Sequence, residues 1–277
     1  MSMMEAMDIM IDNFSESVPK SDSEYIGEDG FLHCSICHKR TERIVCVPEL
    51  GINRKVRCIC DCGKKERQAF EDRMKQEDSD RKRSVCFADS NMWKWTFEHD
   101  DRKNPKISDA MQNYVKNFTE FKKEGKGLLL HGTVGTGKTY LAACIANALI
   151  DEDMGVLFRT FKQIERELWN ADNKSEYMKS LTKYQLIVFD DLGTERESKY
   201  MLDVVFDIID TRYKSGLPFI ITTNLTSDEL KKPENVAYSR IYDRILERCH
   251  PVNIDGASRR RQSLKETFAD TQRLLGL

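Results

Sequence analysis

No stretch of this 277-residue chain is apolar for long enough to cross a bilayer, and neither sign of charge prevails, with 44 Lys and Arg against 46 Asp and Glu. The first absence speaks against a helical membrane span. The second excludes a global electrostatic bias toward nucleic acid or membrane surfaces. No internal repeat or low-complexity tract is present. The first residues lack a basic segment followed by an apolar one, so no secretory signal is read, and a soluble, cytoplasmic protein is expected. In that reducing setting the nine cysteines are not read as disulfides: clustered ones suggest metal, scattered ones packing.

What is present falls into four zones. Residues 1–30 form an acidic leader, poor in aromatics and expected to be flexible, with Lys20 as the sole cation up to Asp29. Residues 31–63 hold six of the nine cysteines. Residues 64–84, "KKERQAFEDRMKQEDSDRKRS", are charged and free of Gly and Pro, which reads as a helical linker. From 85 to 277 short apolar runs alternate with amphipathic ones. Strands are expected at 127–131, 156–160, 186–190, 219–223 and 252–254, and helices at 139–150, 161–170, 199–215 and 237–249. Strands that are apolar throughout and separated by helices imply a five-stranded parallel sheet covered on both faces, an α/β fold.

"GTVGTGKT" at 132–139 has the phosphate-loop spacing G-x-x-x-x-G-K-[ST], with a strand before it and a helix after. Gly132, Thr133, Gly135, Thr136, Gly137 and Tyr140 surround the two residues with direct roles. Lys138 supplies a cation to the β- and γ-phosphates of ATP, and the Thr139 hydroxyl can ligate Mg²⁺. The helix start turns its positive end to the anion. "LIVFDDLG" adds a buried strand ending in two acids: Asp190 to hold Mg²⁺ and Asp191 to polarise the attacking water. "FIITTN" ends on Asn224, which either orients water against the γ-phosphate or simply starts a loop. In "AYSRIYDRILERC", Arg240, Arg244 and Arg248 recur every four residues beside an apolar stripe. They form either a solvated face paired with Asp243 and Glu247 or an arginine row offered to a neighbouring subunit.

"CSIC" (34–37) and "CICDC" (58–62) offer two corners of a tetrahedral zinc site. The set Cys34, Cys37, Cys60 and Cys62 is favoured, with Cys58 able to replace Cys60 and His33, His38 and Cys46 as lesser candidates. A segment this short buries too little surface to fold alone, so the Zn²⁺ would be structural. Cys86, Cys144 and Cys249 lie in apolar contexts and are read as packing residues.

Taken together, "GLLLHGTVGTGKT", "LIVFDDLGTE", "IIDTRYKSGLPFIITTNLT" and "SRIYDRILERC" resemble the bacterial helicase-loader branch of AAA+ ATPases, the DnaC and DnaI group with phage relatives and IstB transposition helpers. The resemblance covers about residues 87–261. It implies a P-loop AAA+ three-layer domain without a full C-terminal lid. Asp190 and Asp191 then match Walker B, Asn224 sensor 1, and Arg244 the arginine finger with Arg240 one turn earlier, while Arg260 corresponds to sensor 2. "NMWKWTFEHD" matches the stretch that lies against the adenine, where Trp93, Trp95 and Phe97 would suit that role or pack on the core.

General AAA+ proteins carry Glu at the position of Asp191, so slow hydrolysis is expected here. The resemblance implies an ATP-dependent loader that places a hexameric replicative helicase on single-stranded DNA and self-associates through the finger. The cysteine module is the feature such loaders use on the helicase. The alternative is an IstB-like transposition helper acting on duplex DNA. A small-molecule kinase would share the phosphate loop but not the need for an arginine from a neighbour. Arg159 and Lys162 are further candidates for contact with DNA phosphates.

Overall fold

In the computed structural model, residues 24–88, 90–194, 198–233 and 235–275 are described, and the chain divides between Asp78 and Ser79 into two units. The first contains two small antiparallel sheets. Strand β1 (Glu24–Ile26) pairs with β2 (Leu32–Cys34), and β3 (Glu42–Val47) pairs with β4 (Ile52–Arg57). Residues 1–23 of the expected leader lie outside the described residues. Its last part includes the β1 strand, where Glu24 is one half of an ion pair, 2.6 Å from the Arg57 guanidinium. Helix α1 (Asp61–Cys86) begins three residues before the expected linker, inside the cysteine cluster.

The second unit is built on strands that no polar face could stabilise in water. Along β5 (Gly127–His131), β6 (Val156–Thr160), β7 (Leu186–Leu192) and β8 (Phe219–Thr223) nearly every residue is buried. With the edge strand β9 (Cys249–Asn253) they form one parallel sheet in the order β6-β7-β8-β5-β9. Alternate side chains feed two separate cores. Leu128, Leu130, Val188 and Ile220 pack under α2 (Pro105–Lys116) and α4 (Lys138–Asp151). Leu129, Ile187, Phe189 and Ile221 pack under α5 (Phe161–Asn170), α7 (Lys199–Lys214) and α9 (Val236–Arg248). The expected three-layer α/β fold is therefore present.

Strand β8 lies between β5 and β7, so the strand leading into the phosphate loop and the strand bearing the two acids are separated by the one that carries Thr222. The approach is close. A Cβ on Gly127 would lie 1.7 Å from the Phe219 carbonyl oxygen, so only glycine fits there.

The last strand runs over Cys249–Asn253 rather than 252–254, since the ladder with β5 starts at Gly127 and accepts the polar, exposed His250 at a sheet edge. Helices α2 and α3 (Phe118–Glu124) were not expected, although the signals are in the sequence. Asn104 caps the Ile107 amide, Pro105 opens the helix, and Met111, Tyr114, Val115 and Phe118 repeat at helical spacing. Two short segments, α6 (Lys174–Ser180) and α8 (Ser227–Lys231), and the 17-residue α10 (Arg259–Leu275) complete the described α-helices, with α10 following β9. None of the described helices is long and apolar enough to cross a membrane.

Two arginines are consumed by the fold. The guanidinium of Arg159, a candidate for phosphate contact, bonds the Val85, Cys86 and Phe158 carbonyls and pairs with Glu167 at 2.6 Å. It thereby fastens the C-terminal end of α1 to β6. Arg212, wholly buried, donates to the carbonyls of Leu181, Tyr184, Gln185 and Pro218. Burial pulls its basicity down, to about 9. Replacing Arg212 with Leu leaves those carbonyls unpaired, each costing about 1–3 kcal/mol. Chemical denaturation of the R212L protein is expected to show a loss of at least ~3 kcal/mol.

Candidate functional site

The phosphate loop turns on three glycines with left-handed backbone, at φ 140° for Gly132, 83° for Gly135 and 102° for Gly137. The loop is closed on itself by the Thr136 hydroxyl, which donates to the Thr133 carbonyl at 2.9 Å. Lys138 starts α4 and is buried; its ammonium donates to the carbonyls of Gly132 (2.9 Å) and Thr133 (2.7 Å). Burial lowers its basicity, and the charges of Asp191 and Asp190 partly offset this. Gly135, Gly137, Lys138, Thr139 and Tyr140 line a cleft of ≈ 340 Å³ with Trp95, His99, Asp101, Val134, Asp191, Asn224, Arg259 and Arg260.

Asp190 ends the continuous apolar run of β7, 4% exposed. Its carboxylate accepts the Thr222 hydroxyl at 2.5 Å. Burial pushes its pKa up to about 6, with the Thr222 hydroxyl opposing and Asp191 reinforcing the rise. Thr222 also accepts the Asp191 amide at 2.9 Å, so a single hydroxyl ties the two acids together. The side chain of Thr222 is not singled out as a functional group in the sequence; its signal is a hydroxyl that follows the apolar run Phe219–Ile221 of a buried strand.

Asp191 has φ 60°, and the β7–β8 register shifts there. Alternation along a regular strand would send Asp191 to the face opposite Asp190. The left-handed residue breaks that alternation, and Asp191 lines the cleft. Such a conformation is strained for a non-glycine residue. The Thr139 hydroxyl in the cleft lining and the Asp190 carboxylate held out of water are oxygen donors of the kind a hard cation such as Mg²⁺ takes.

The aromatic segment before β5 divides its roles. Trp95 lines the cleft and packs on Tyr140 at 5.8 Å between ring centroids, Phe97 packs on the core, and Trp93 is exposed. Asn147, buried on α4, bonds the carbonyls of Met92 and Trp95 and fixes this segment against the helix. Among residues not anticipated from the sequence, His99, Asp101 and Arg259 also line the cleft beside the expected Arg260.

The arginine row lies outside that lining. Arg244 pairs with Asp210 of α7 at 3.0 Å and lies over the Phe206 ring at 4.8 Å, while Arg240 is exposed. Arg248 stacks on Tyr213, whose hydroxyl donates to Glu247. The expected alternative partners, Asp243 and Glu247, are thus not what holds Arg244; a carboxylate from another helix is.

In the first unit the thiols of Cys34, Cys37, Cys60 and Cys62 lie within 4.8 Å of one another. Cys58, named as a replacement for Cys60, is outside this group, and its thiol faces the Arg40 carbonyl. Backbone amides of Ile36 and Gly63 point at the Cys34 and Cys60 sulfurs, each at 3.4 Å. The Lys39 amide draws the Cys37 thiol down to about 7, whereas Cys62, hydrogen-bonded to Cys37, is pushed up to about 11. Four thiols converging with amides aimed at the sulfurs fit a closed, structural Zn²⁺ site. Cys86, Cys144 and Cys249 are buried, as expected for packing residues.

With this geometry in place, the family model described as "IstB-like ATP binding protein" matches residues 69–267. The chain belongs to this family. The IstB-like chain is 29% identical over 181 residues to the replicative helicase loader DnaI of Bacillus subtilis (strain 168), covering 60% of this chain and 58% of that one. It is 31% identical over 144 residues to the replicative helicase loader DnaC of Escherichia coli (strain K12), covering 50% and 56%. It is also 27% identical over 171 residues to an ATP-binding protein in an insertion sequence of Mycobacterium tuberculosis (strain ATCC 25618 / H37Rv), covering 60% and 68%. The matched regions thus span little more than half of the two loaders. Among solved structures, a DnaI crystal structure superposes with a TM-score of 0.54 at 28% identity, covering 65% of this chain and 99% of that one. The DnaC helicase loader superposes with a TM-score of 0.50 at 26% identity, covering 60% and 100%.

Three outcomes are expected of this IstB-like chain. Because Asp190 holds its proton up to about pH 6, Mg²⁺-dependent nucleotide binding should fall as pH drops from 7 to 5, and the fall should vanish in Asp190→Asn. Titration of a fluorescent ATP analogue across that range checks it. Thr222→Val removes the opposing hydroxyl bond and should move the midpoint of that profile upward. Separately, metal analysis should find one Zn²⁺ per chain, lost in Cys62→Ser.

Proposed function

We propose that this protein is an ATPase that loads a hexameric, DnaB-like replicative helicase onto single-stranded DNA. In this reading residues 31–63 form the zinc module that contacts the helicase, 64–84 the linker, and 85–277 the ATPase domain. The observation that carries it is the presence, on one chain, of a phosphate-loop cleft and a four-thiol cluster in a separate N-terminal unit.

The chemistry assigned to the cleft follows from its groups. Lys138 gives up its loop carbonyls for the β- and γ-phosphate oxygens. Thr139 and Asp190 would hold Mg²⁺, which when bound supplies charge neutralisation at the phosphates. Asp191 accepts the proton of the attacking water, and Asn224 orients that water. Arg240 or Arg244 of an adjacent subunit completes the pocket, so hydrolysis reports assembly. The carboxylate of Asp191 is a methylene shorter than Glu, which keeps turnover slow and suits a switch.

The match to the insertion-sequence protein supports a second reading, a transposition helper on duplex DNA. Retention of a replicative helicase on the immobilised protein, and ATPase stimulation by single strands rather than duplex, would favour the loader; the reverse pattern would favour the helper. Arg244→Ala is expected to lower the stimulated ATPase rate on the order of 10³-fold. Mixing it with a Lys138→Ala subunit, whose finger is intact, should restore part of that rate. A monomeric kinase-like enzyme would show neither effect.

A further inference from the structure

Beside the phosphate loop is a carboxylate with no exposure to water. The Asp100 side chain is 0% exposed. Its Oδ2 accepts the hydroxyl of Ser108, itself buried, whereas Oδ1 is buried without a hydrogen-bond partner. A buried carboxylate oxygen without a donor is costly, and a cation facing it offsets that cost. The facing cation is Arg259, whose guanidinium is 3.9 Å from Asp100 and 3.1 Å from the half-exposed Asp101. The same residue touches the phosphate loop twice. Its amide donates to the Gly135 carbonyl at 2.9 Å, and a Cβ on Gly137 would sit 3.3 Å from its guanidinium.

We propose that Asp100 is a positioning residue that anchors Arg259 over the phosphate loop, and that Asp101 is the partner which an entering polyphosphate displaces. The short ion pair is with the solvent-accessible carboxylate, which is the weaker kind. The long one is with the buried carboxylate, which gains most from a closer approach because its Oδ1 has nothing else. A guanidinium presents several donors in a plane, so one edge can close on Asp100 while another passes from Asp101 to phosphate oxygens. Asp100 then strengthens nucleotide binding and Asp101 competes with it. The two neighbouring aspartates have opposite signs of effect.

This rests on nucleotide occupying the phosphate-loop cleft, which binding to the wild-type protein reports by itself. The test is titration of the full chain with ATP and Mg²⁺ by calorimetry, comparing wild type with Asp100→Asn, Asp101→Asn, Arg259→Ala and the two aspartate changes in the Arg259→Ala background. Asp100→Asn and Arg259→Ala are each expected to weaken ATP binding roughly tenfold, the scale of one charge-assisted hydrogen bond. Asp101→Asn should tighten it, and neither aspartate change should matter once Arg259 is gone. Additive losses, or an Asp101→Asn protein that binds ATP no better than wild type, would overturn the proposal. Should Asp100→Asn fail to fold, the exposed Asp101→Asn change alone, with and without Arg259, decides the matter by the same criterion. Absence of ATP binding in the wild type would remove the nucleotide reading itself.

Discussion

An ammonium and a carboxylate, both out of water, meet the carboxyl edge of one parallel sheet. Neither is neutralised by a direct bond to the other. Lys138 rests on the carbonyls of its own loop, and Asp190 on the hydroxyl of Thr222. The strand order enforces this, because β8 stands between the strands that deliver the two charges and puts Thr222 beside Asp190. Two full cores on either side of the sheet keep the edge dry. In that low-dielectric setting each group responds strongly to an arriving charge, which explains how one hydroxyl can set the protonation of one acid and the position of the next.

Repetition made the centre of the fold legible. Apolar runs at 127–131, 156–160, 186–189 and 219–223 could be buried only by helices on both faces, and the glycine spacing at 132–139 fixed the turn between strand and helix. What composition could not disclose were properties of backbone geometry and of distant pairing. Nothing in "FDDLG" states that Asp191 adopts φ 60° and so reaches the cleft. The strand β9 was misjudged because its residues are half polar, as an edge strand tolerates. Helices α2 and α3 were legible in principle, from Asn104, Pro105 and the Met111-to-Phe118 spacing, but lay away from the chemistry that drew attention. Spacing alone favoured one cysteine set while leaving Cys58, and less so His33, His38 and Cys46, as candidates, and convergence of sulfurs separated Cys60 from Cys58.

The arginines show the limit of periodicity most clearly. Arg159, Arg212, Arg244 and Arg259 are alike in sequence, each a cation near an apolar or polar run. Their partners are 6 to 159 positions away: Glu167 for the first, four carbonyls for the second, Asp210 for the third, and Asp100 and Asp101 for the last. A guanidinium is assigned by what lies across a gap, and only packing creates that gap. The same side chain is therefore a strut in two places, a held cation in the third and a bridge in the fourth.

The sheet also ends deliberately at five strands. On the outer edge of β9, the amide of Ile254 bonds inward to His131, so by alternation position 251 faces away from β5, and it is proline. An incoming strand finds no donor there. At the opposite edge, Phe87 already bridges to Phe158 and Arg159 ties down the adjoining carbonyls. With one border lacking a donor and the other occupied, copies of this chain cannot readily join by extending a ladder of main-chain bonds. If copies associate as proposed, their contact would fall to side chains on helices and loops, which can be made and released without unravelling the sheet.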